Sequence, residues 1–262
     1  MTVTSEADIA VRPGTARRIA DRLLDLVLPV ACVACGGRVA TSTRDREIMC
    51  GRCWAAVPVL PHPRCERCGH PRRVGAASTA AVCAWCDVLP PYVRACRSVC
   101  WVPDGAGGEL VRALKYGGWH VAARGIGARV GALDWPDDVI DERIAAIPVP
   151  LGRGRLRERG YNQSALIAAP AARRWGVPVW DDVLTRSRAT RAQARLTAAD
   201  RLTNVAGAFR VADGVHARLR GAHVIIVDDV VTTAATLNAC AAALVAGGAR
   251  VVSYATFGRA RS

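Results

Sequence analysis

The stretch that most constrains this chain is Val224-Ile-Ile-Val-Asp-Asp-Val-Val-Thr-Thr-Ala-Ala-Thr-Leu237. Four apolar residues lead straight into Asp228 and Asp229. An unbroken Val/Ile run of this kind fits a strand buried on both faces, as in a parallel sheet. Thr232, Thr233, Ala234, Ala235 and Thr236 then open an apolar helix. The first backbone N–H groups of a helix have no partner within it, and with the positive end of the dipole they converge on an anion such as phosphate. Carboxylates at the carboxyl end of such a strand stand where ligands lie in open α/β sheets. Acids beside a phosphate site need donor or electrophilic partners, and ribose hydroxyls or hydrated Mg²⁺ supply them. The competing reading is a buried strand that merely ends in two solvated aspartates.

The order strand, acid pair, hydroxyl loop, helix resembles the phosphoribosyl-pyrophosphate (PRPP) signature of type I phosphoribosyltransferases. In that family the acid pair holds the ribose hydroxyls and the loop cradles the 5-phosphate. The resemblance therefore implies that Asp228 and Asp229 are the catalytic acids and that residues 232–236 bind PRPP. One departure stands out: Ala234 occupies a position where the family usually has Gly, and its methyl group restricts how closely the backbone can approach a phosphate.

The N-terminal third carries a second pattern. Cys32/Cys35, Cys50/Cys53, Cys65/Cys68 and Cys83/Cys86 are four Cys-x-x-Cys pairs, the last two repeating the first two at an offset of 33 residues. Fourteen residues separate the pairs within each repeat. Thiolates at this spacing close tetrahedra around Zn²⁺, and a closed four-cysteine site is structural because it leaves no open position for chemistry. The spacing allows two zinc ions held by consecutive pairs, or a cross-braced arrangement in which the first and third pairs share an ion. Reduced cysteine pairs point to a reducing, cytoplasmic setting rather than a secreted disulfide scaffold. No stretch has the roughly 20 apolar residues that a membrane span needs.

The formal net charge is +14, and every cationic residue except Lys115 is arginine. Arginine favours phosphates through bidentate hydrogen bonds. Arg64, Arg67, Arg72 and Arg73 crowd the third cysteine pair and read either as a nucleic-acid contact or as a solvated face. Arg153, Arg155, Arg157 and Arg159 follow a strand expected over 143–149 and read as a basic, glycine-containing loop for pyrophosphate. Lys115, at the end of an expected helix stopped by Gly117, supplies a compact point charge.

In chain order the expectation is a polar tail (1–14), an amphipathic helix plus the duplicated zinc module (15–90), and an α/β domain (91–262) with an open, mainly parallel sheet. Within the latter we expect a strand near Arg97–Val102 and helices over 104–118 and 119–133. An acidic loop is expected over 134–141, and a helix over 162–175 kinked or cut at Pro170. A basic mobile loop over 186–196, a short helix carrying Arg201, and a closing strand over 250–257 complete the reading. Cys96, Cys100 and Cys240 fall outside the repeat and read as packed thiols.

These pieces resemble the ComF family, competence-associated bacterial proteins with a cysteine module ahead of a phosphoribosyltransferase-type domain. The resemblance rests on the cysteine pairs, Leu114-Lys-Tyr-Gly117, Pro148-Val-Pro-Leu151, Arg155-Leu-Arg-Glu-Arg-Gly-Tyr-Asn-Gln163, Gln193, Arg201 and Asn204, and Val227-Asp-Asp-Val230. It implies a type I phosphoribosyltransferase fold, a PRPP and Mg²⁺ site, and a role in handling single-stranded DNA during uptake. Transfer of the phosphoribosyl group and a purely DNA-handling role both remain open, and Ala194 is a second departure, standing where Gly often follows Gln193.

Overall fold

The computed structural model describes residues 30–39, 48–72, 83–186 and 207–261. The expected N-terminal tail and amphipathic helix, most of the basic loop and the helix with Arg201 lie outside the described residues, as do Gln193, Ala194 and Asn204.

Four parallel strands form the main sheet: β1 (Val93–Val102), β2 (Arg143–Pro148), β5 (His223–Val231) and β6 (Val251–Ala260), in the order β1-β6-β5-β2. The apolar run that opens the sequence argument is thus an interior strand. Its side chains alternate between two cores, as period-2 geometry requires. Ile225 and Val227 face helices α2 (Gly105–Tyr116), α3 (Ala122–Gly131) and α6 (Gln163–Trp175) through Leu110, Ile126 and Ile167. Val224 and Ile226 face α8 (Ala235–Ala246) through Leu237, Cys240 and Leu244. Burial on both faces explains why the strand shows no polar alternation. A small antiparallel hairpin, β3 (Leu184–Arg186) with β4 (Phe209–Val211), joins the α8 side, followed by the single turn α7 (His216–Leu219).

The cysteine module is packed into both cores. Cys32 and Cys53 belong to the core on the α2 and α3 side, whereas Cys65, Cys68 and Cys86 belong to the core under α8. Between the two repeats the chain follows α1 (Gly51–Ala55) and lies along the outer edge of β1, where Val59 bridges Cys100 and the Leu60 N–H donates to the Val99 carbonyl at 3.0 Å. An uncovered edge strand is an open template for pairing, and this segment closes it. At the opposite edge, Val179 bridges Ala146 of β2.

Two expectations give way and a third is narrowed. Asp137–Glu142 is a helix, α4, rather than an acidic loop: Pro136 precedes it, and Asp137 and Asp138 fill the first turn, where carboxylates meet the positive dipole end. Arg153–Arg159 is also a helix, α5, ended by Gly160 at φ 77°. Pro170 does not cut α6, which runs through it to Trp175. A β-carbon on Gly127 of α3 would come within 2.2 Å of Pro170 Cγ and 2.5 Å of the Ile167 carbonyl oxygen. This close helix–helix contact holds α6 in place across the proline.

Candidate functional site

β5 delivers Asp228 and Asp229 to the carboxyl end of the sheet. Alternation turns them to different surroundings. Asp229 is 3% exposed and its Oδ1 lies 2.9 Å from Nζ of Lys115, which projects from the last turn of α2. Asp228 is half-buried; its Oδ1 accepts from Ser164 Oγ at 2.8 Å and from the Asp229 backbone N–H at 2.9 Å. Burial, followed by the neighbouring Asp229 charge, pushes the Asp228 carboxyl up to about 7, against the opposing pull of Lys115. Burial alone would pull Lys115 down, but Asp229 and Asp228 reverse that and hold its ammonium above the ordinary value. The single lysine of the chain is therefore the cation that keeps two adjacent acids together.

The acids line a cavity of about 390 Å³ together with Lys115, Arg155, Arg159 and the 232–236 loop. Ala234 adopts φ 59° and ψ 2°, the left-handed conformation, and is the one non-glycine residue with positive φ among the described residues. Its carbonyl accepts from the Asn238 N–H at 2.8 Å, which starts the hydrogen-bond ladder of α8. The turn thus folds as a glycine turn would, with alanine bearing the strain of about 1–2 kcal/mol that the left-handed region imposes on an L-residue.

The four arginines treated as one group in the sequence are divided by their helix. Arg155 and Arg159, one turn apart on α5, are half-buried and line the cavity. Arg153 and Arg157 are exposed and do not line it. The Arg159 guanidinium also stands over the Tyr116 ring, 5.3 Å from its centroid. Gln163, which ends the quoted motif, and Arg186, which starts the basic loop, also line the cavity, and Ser164 joins them without having been singled out in the sequence. The available signal was Asn162, whose side chain caps α6 by accepting from the Ser164 N–H at 3.1 Å and so aims the first turn of that helix at the acids.

Two buried acceptors, Asp229 Oδ2 and Gln163 Oε1, have no hydrogen-bond partner among the described residues, and both residues line the cavity. Leaving such atoms unmet costs on the order of 1–3 kcal/mol each. What they lack is a donor, such as a hydroxyl or a water on a divalent cation. The residues present therefore fit a hydrated Mg²⁺ beside a polyol.

The eight paired cysteines form two sets, Cys32/Cys35/Cys50/Cys53 and Cys65/Cys68/Cys83/Cys86, with the ligand atoms of each set within 4.8 Å of one another. The pairing is sequential, and the cross-braced alternative is excluded. Sulfur separations of 3.8 Å (Cys35–Cys50) and 3.5 Å (Cys65–Cys86 and Cys68–Cys83) suit a tetrahedron with Zn–S bonds of about 2.3 Å. Backbone N–H groups of Cys50, Ala34 and Cys35 overcome burial and bring the Cys32 thiol down to about 6, whereas the contact with Cys35, followed by burial, pushes the Cys53 thiol up to about 12. Both sets are structural zinc sites. His62 and His70 belong to neither set, and Cys96, Cys100 and Cys240 are buried free thiols, as expected.

The arginines around the third pair turn inward. Arg67 donates to the carbonyls of Val93, Cys86, Leu89 and Pro90 at 2.8–3.4 Å. Arg64 donates to the Leu60 and Pro61 carbonyls and pairs with Asp134 at 3.4 Å. Arg72 Nη2 lies 3.9 Å from Cys65 Sγ, and Arg73 lies outside the described residues. Arg64 and Arg67 are framework groups, not an open face for a nucleic-acid backbone.

The double zinc ribbon domain matches residues 23–87 and the phosphoribosyl transferase domain matches residues 162–262. The DNA utilization protein YhgH of Escherichia coli (strain K12) is 30% identical over 239 residues, covering 87% of this chain and 96% of the relative. The chain belongs to the ComF family. A similar match is the YhgH protein of Salmonella typhimurium, 32% identical over 217 residues, 81% of this chain and 85% of its own length. Competence protein F of Haemophilus influenzae is 38% identical over 94 residues, 36% of this chain and 41% of its own. In this ComF protein the acid pair and the 232–236 loop fall inside the matched transferase domain, whereas Lys115, Arg155 and Arg159 reach the cavity from ahead of it.

Proposed function

We propose that this ComF protein binds PRPP together with Mg²⁺ and transfers its phosphoribosyl group to a nucleophilic acceptor. The observation that carries the reading is the meeting of the acid pair and the Thr-rich helix start in one cavity that also receives Lys115, Arg155 and Arg159. Asp228 and Asp229 accept from the ribose hydroxyls, which supply the donors that Asp229 Oδ2 lacks. The N–H groups and hydroxyls of residues 232–236 hold the 5-phosphate at the start of α8. Arg155 and Arg159 neutralise the pyrophosphate as its bond to C1 breaks and positive charge develops on the sugar. Bound Mg²⁺ supplies further charge neutralisation at the pyrophosphate oxygens. Lys115 holds the Asp229 side chain in place while the site is empty, through the 2.9 Å contact of its Nζ with Oδ1. The reduced thiolates fit a cytoplasmic setting. The test is calorimetric titration of the zinc-loaded protein with PRPP and Mg²⁺. Binding by the wild type that disappears in Asp228→Asn/Asp229→Asn supports the reading; absence of binding in the wild type refutes it.

A second reading is favoured by the relatives' names, which speak of DNA utilization and competence. Here the protein handles single-stranded DNA. The surface suited to it is the outer face of α5, where Arg153 and Arg157 are exposed, with the exposed ring of Tyr116 under Arg159 of the same helix. Cations that follow a backbone, next to rings on which bases stack, are what a single strand requires. Oligonucleotide affinity that falls steeply with salt and drops in Arg153→Gln/Arg157→Gln supports this reading, and affinity unchanged in that variant counts against this surface.

A further inference from the structure

Arg259 is 0% exposed, yet no carboxylate pairs with it among the described residues. A buried guanidinium without a negative partner is strongly disfavoured, and such charges are ordinarily paired or placed against a bound ion. Its contacts run toward the second cysteine set. Nη2 donates to the Cys68 carbonyl and lies 3.2 Å from Cys96 Sγ; Nε reaches Ser98 Oγ at 3.5 Å. Nη1 has no hydrogen-bond partner among the described residues. The guanidinium also stands 4.2 Å above the ring of Trp85, which lies between the ligands Cys83 and Cys86. Cys96 does not provide the missing charge, because burial keeps its thiol protonated.

The missing charge is supplied by the metal site. Zn²⁺ cancels two of the four thiolate charges and leaves a dianion. We propose that Arg259 adds a second countercharge to the second zinc site, beside Arg72 at 3.9 Å from Cys65 Sγ, and is the positioning residue through which that site grips β6. The two partners solve each other's problem: the guanidinium offsets a buried dianion, and the dianion gives a buried cation its pair. Arg259 lies opposite Val231 in the sheet register, at the end of β5 just ahead of Thr232. The zinc ribbon is thereby fixed to the strand pair that presents the cavity loop. Among the described residues the first cysteine set has no fully buried arginine of this kind, which makes it an internal control.

The test uses the full chain loaded with two zinc ions and follows their transfer to a chromophoric chelator. Arg259→Met should release the second zinc at least tenfold more readily and leave the first unchanged. Arg259→Lys, which keeps the charge, should stay within a few-fold of wild type. Because Arg259→Met risks misfolding, Arg259→Gln, polar but uncharged, is measured beside it and should show the same selective release; Cys83→His adds a further measurement, since a neutral imidazole in place of a thiolate removes one negative charge from the site. In that background Arg259→Met should cost clearly less zinc affinity than it does alone. Equal release of both ions in Arg259→Met and wild type, or a loss in the Cys83→His background as large as in the parent, would overturn the assignment.

Discussion

Replacing Asp228 with Asn should stabilise the ligand-free, zinc-bound protein, by an amount that depends on pH. The Asp228 carboxyl is raised from 3.8 to about 7 by burial and by Asp229. A group raised in this way holds its proton more tightly when folded than when unfolded. The wild type therefore loses stability as pH rises from about 4 to 7, and the full cost of ionisation is present above that window. At about 1.36 kcal/mol per unit the ceiling is about 4 kcal/mol. Half-burial lets water screen the charge, so a gain of about 2 kcal/mol for Asp228→Asn at pH 8 is the working value. Asn keeps an acceptor for Ser164 Oγ and the Asp229 N–H, so the hydrogen bonds survive. Zinc thiolates protonate in acid, which confines the measurement to pH values above about 5.5. Urea denaturation of both proteins between about pH 5.5 and 8, without Mg²⁺ or phosphates, should show the stability gap widening by about 1 kcal/mol. A gap that stays flat or narrows as pH rises would refute the claim that Asp228 is a strained acid held for a ligand.

Further outcomes follow from the same geometry. Ala234→Gly relieves left-handed strain of about 1–2 kcal/mol but adds chain entropy to the unfolded state worth up to about 1 kcal/mol; thermal stability should change by no more than about 1 kcal/mol, and titration should show PRPP bound at least as tightly. Arg155→Gln/Arg159→Gln should weaken PRPP binding by about tenfold or more, on the scale of lost charge-assisted hydrogen bonds, while Arg153→Gln/Arg157→Gln should leave it within a few-fold. Gly127→Ala drives a β-carbon into Pro170 and the Ile167 carbonyl, and should cost about 1–3 kcal/mol in denaturant titrations. Asn238→Ala removes the side chain that donates to the Val88 carbonyl at 2.7 Å and accepts from the Tyr254 hydroxyl at 3.0 Å. Losing these ties of α8 to the second ribbon and to β6 should lower stability by about 2 kcal/mol.

The sequence by itself determined the parts whose signal is local. An unbroken Val/Ile run next to an acid pair and a hydroxyl-rich helix start specifies an interior parallel strand followed by a helix start, because burial on both faces and helix-terminus chemistry are written in adjacent residues. The cysteine pairs likewise specify two closed tetrahedra, because each knuckle is a local turn. Which pairs share an ion is a question of distance between turns, and only the tertiary structure settled it as sequential. Packing also decided the fate of the arginines. Four in alternation looked equivalent until a helical period sent Arg155 and Arg159 to the cavity and Arg153 and Arg157 to solvent. Arg67 looked like a surface cation until its backbone carbonyl partners were in place. The pairing of Lys115 with Asp229, and the isolation of Arg259 beside the second ribbon, join residues far apart in the chain. No pattern along the sequence encodes such contacts, because the charges meet only after β1, β6 and β5 have paired.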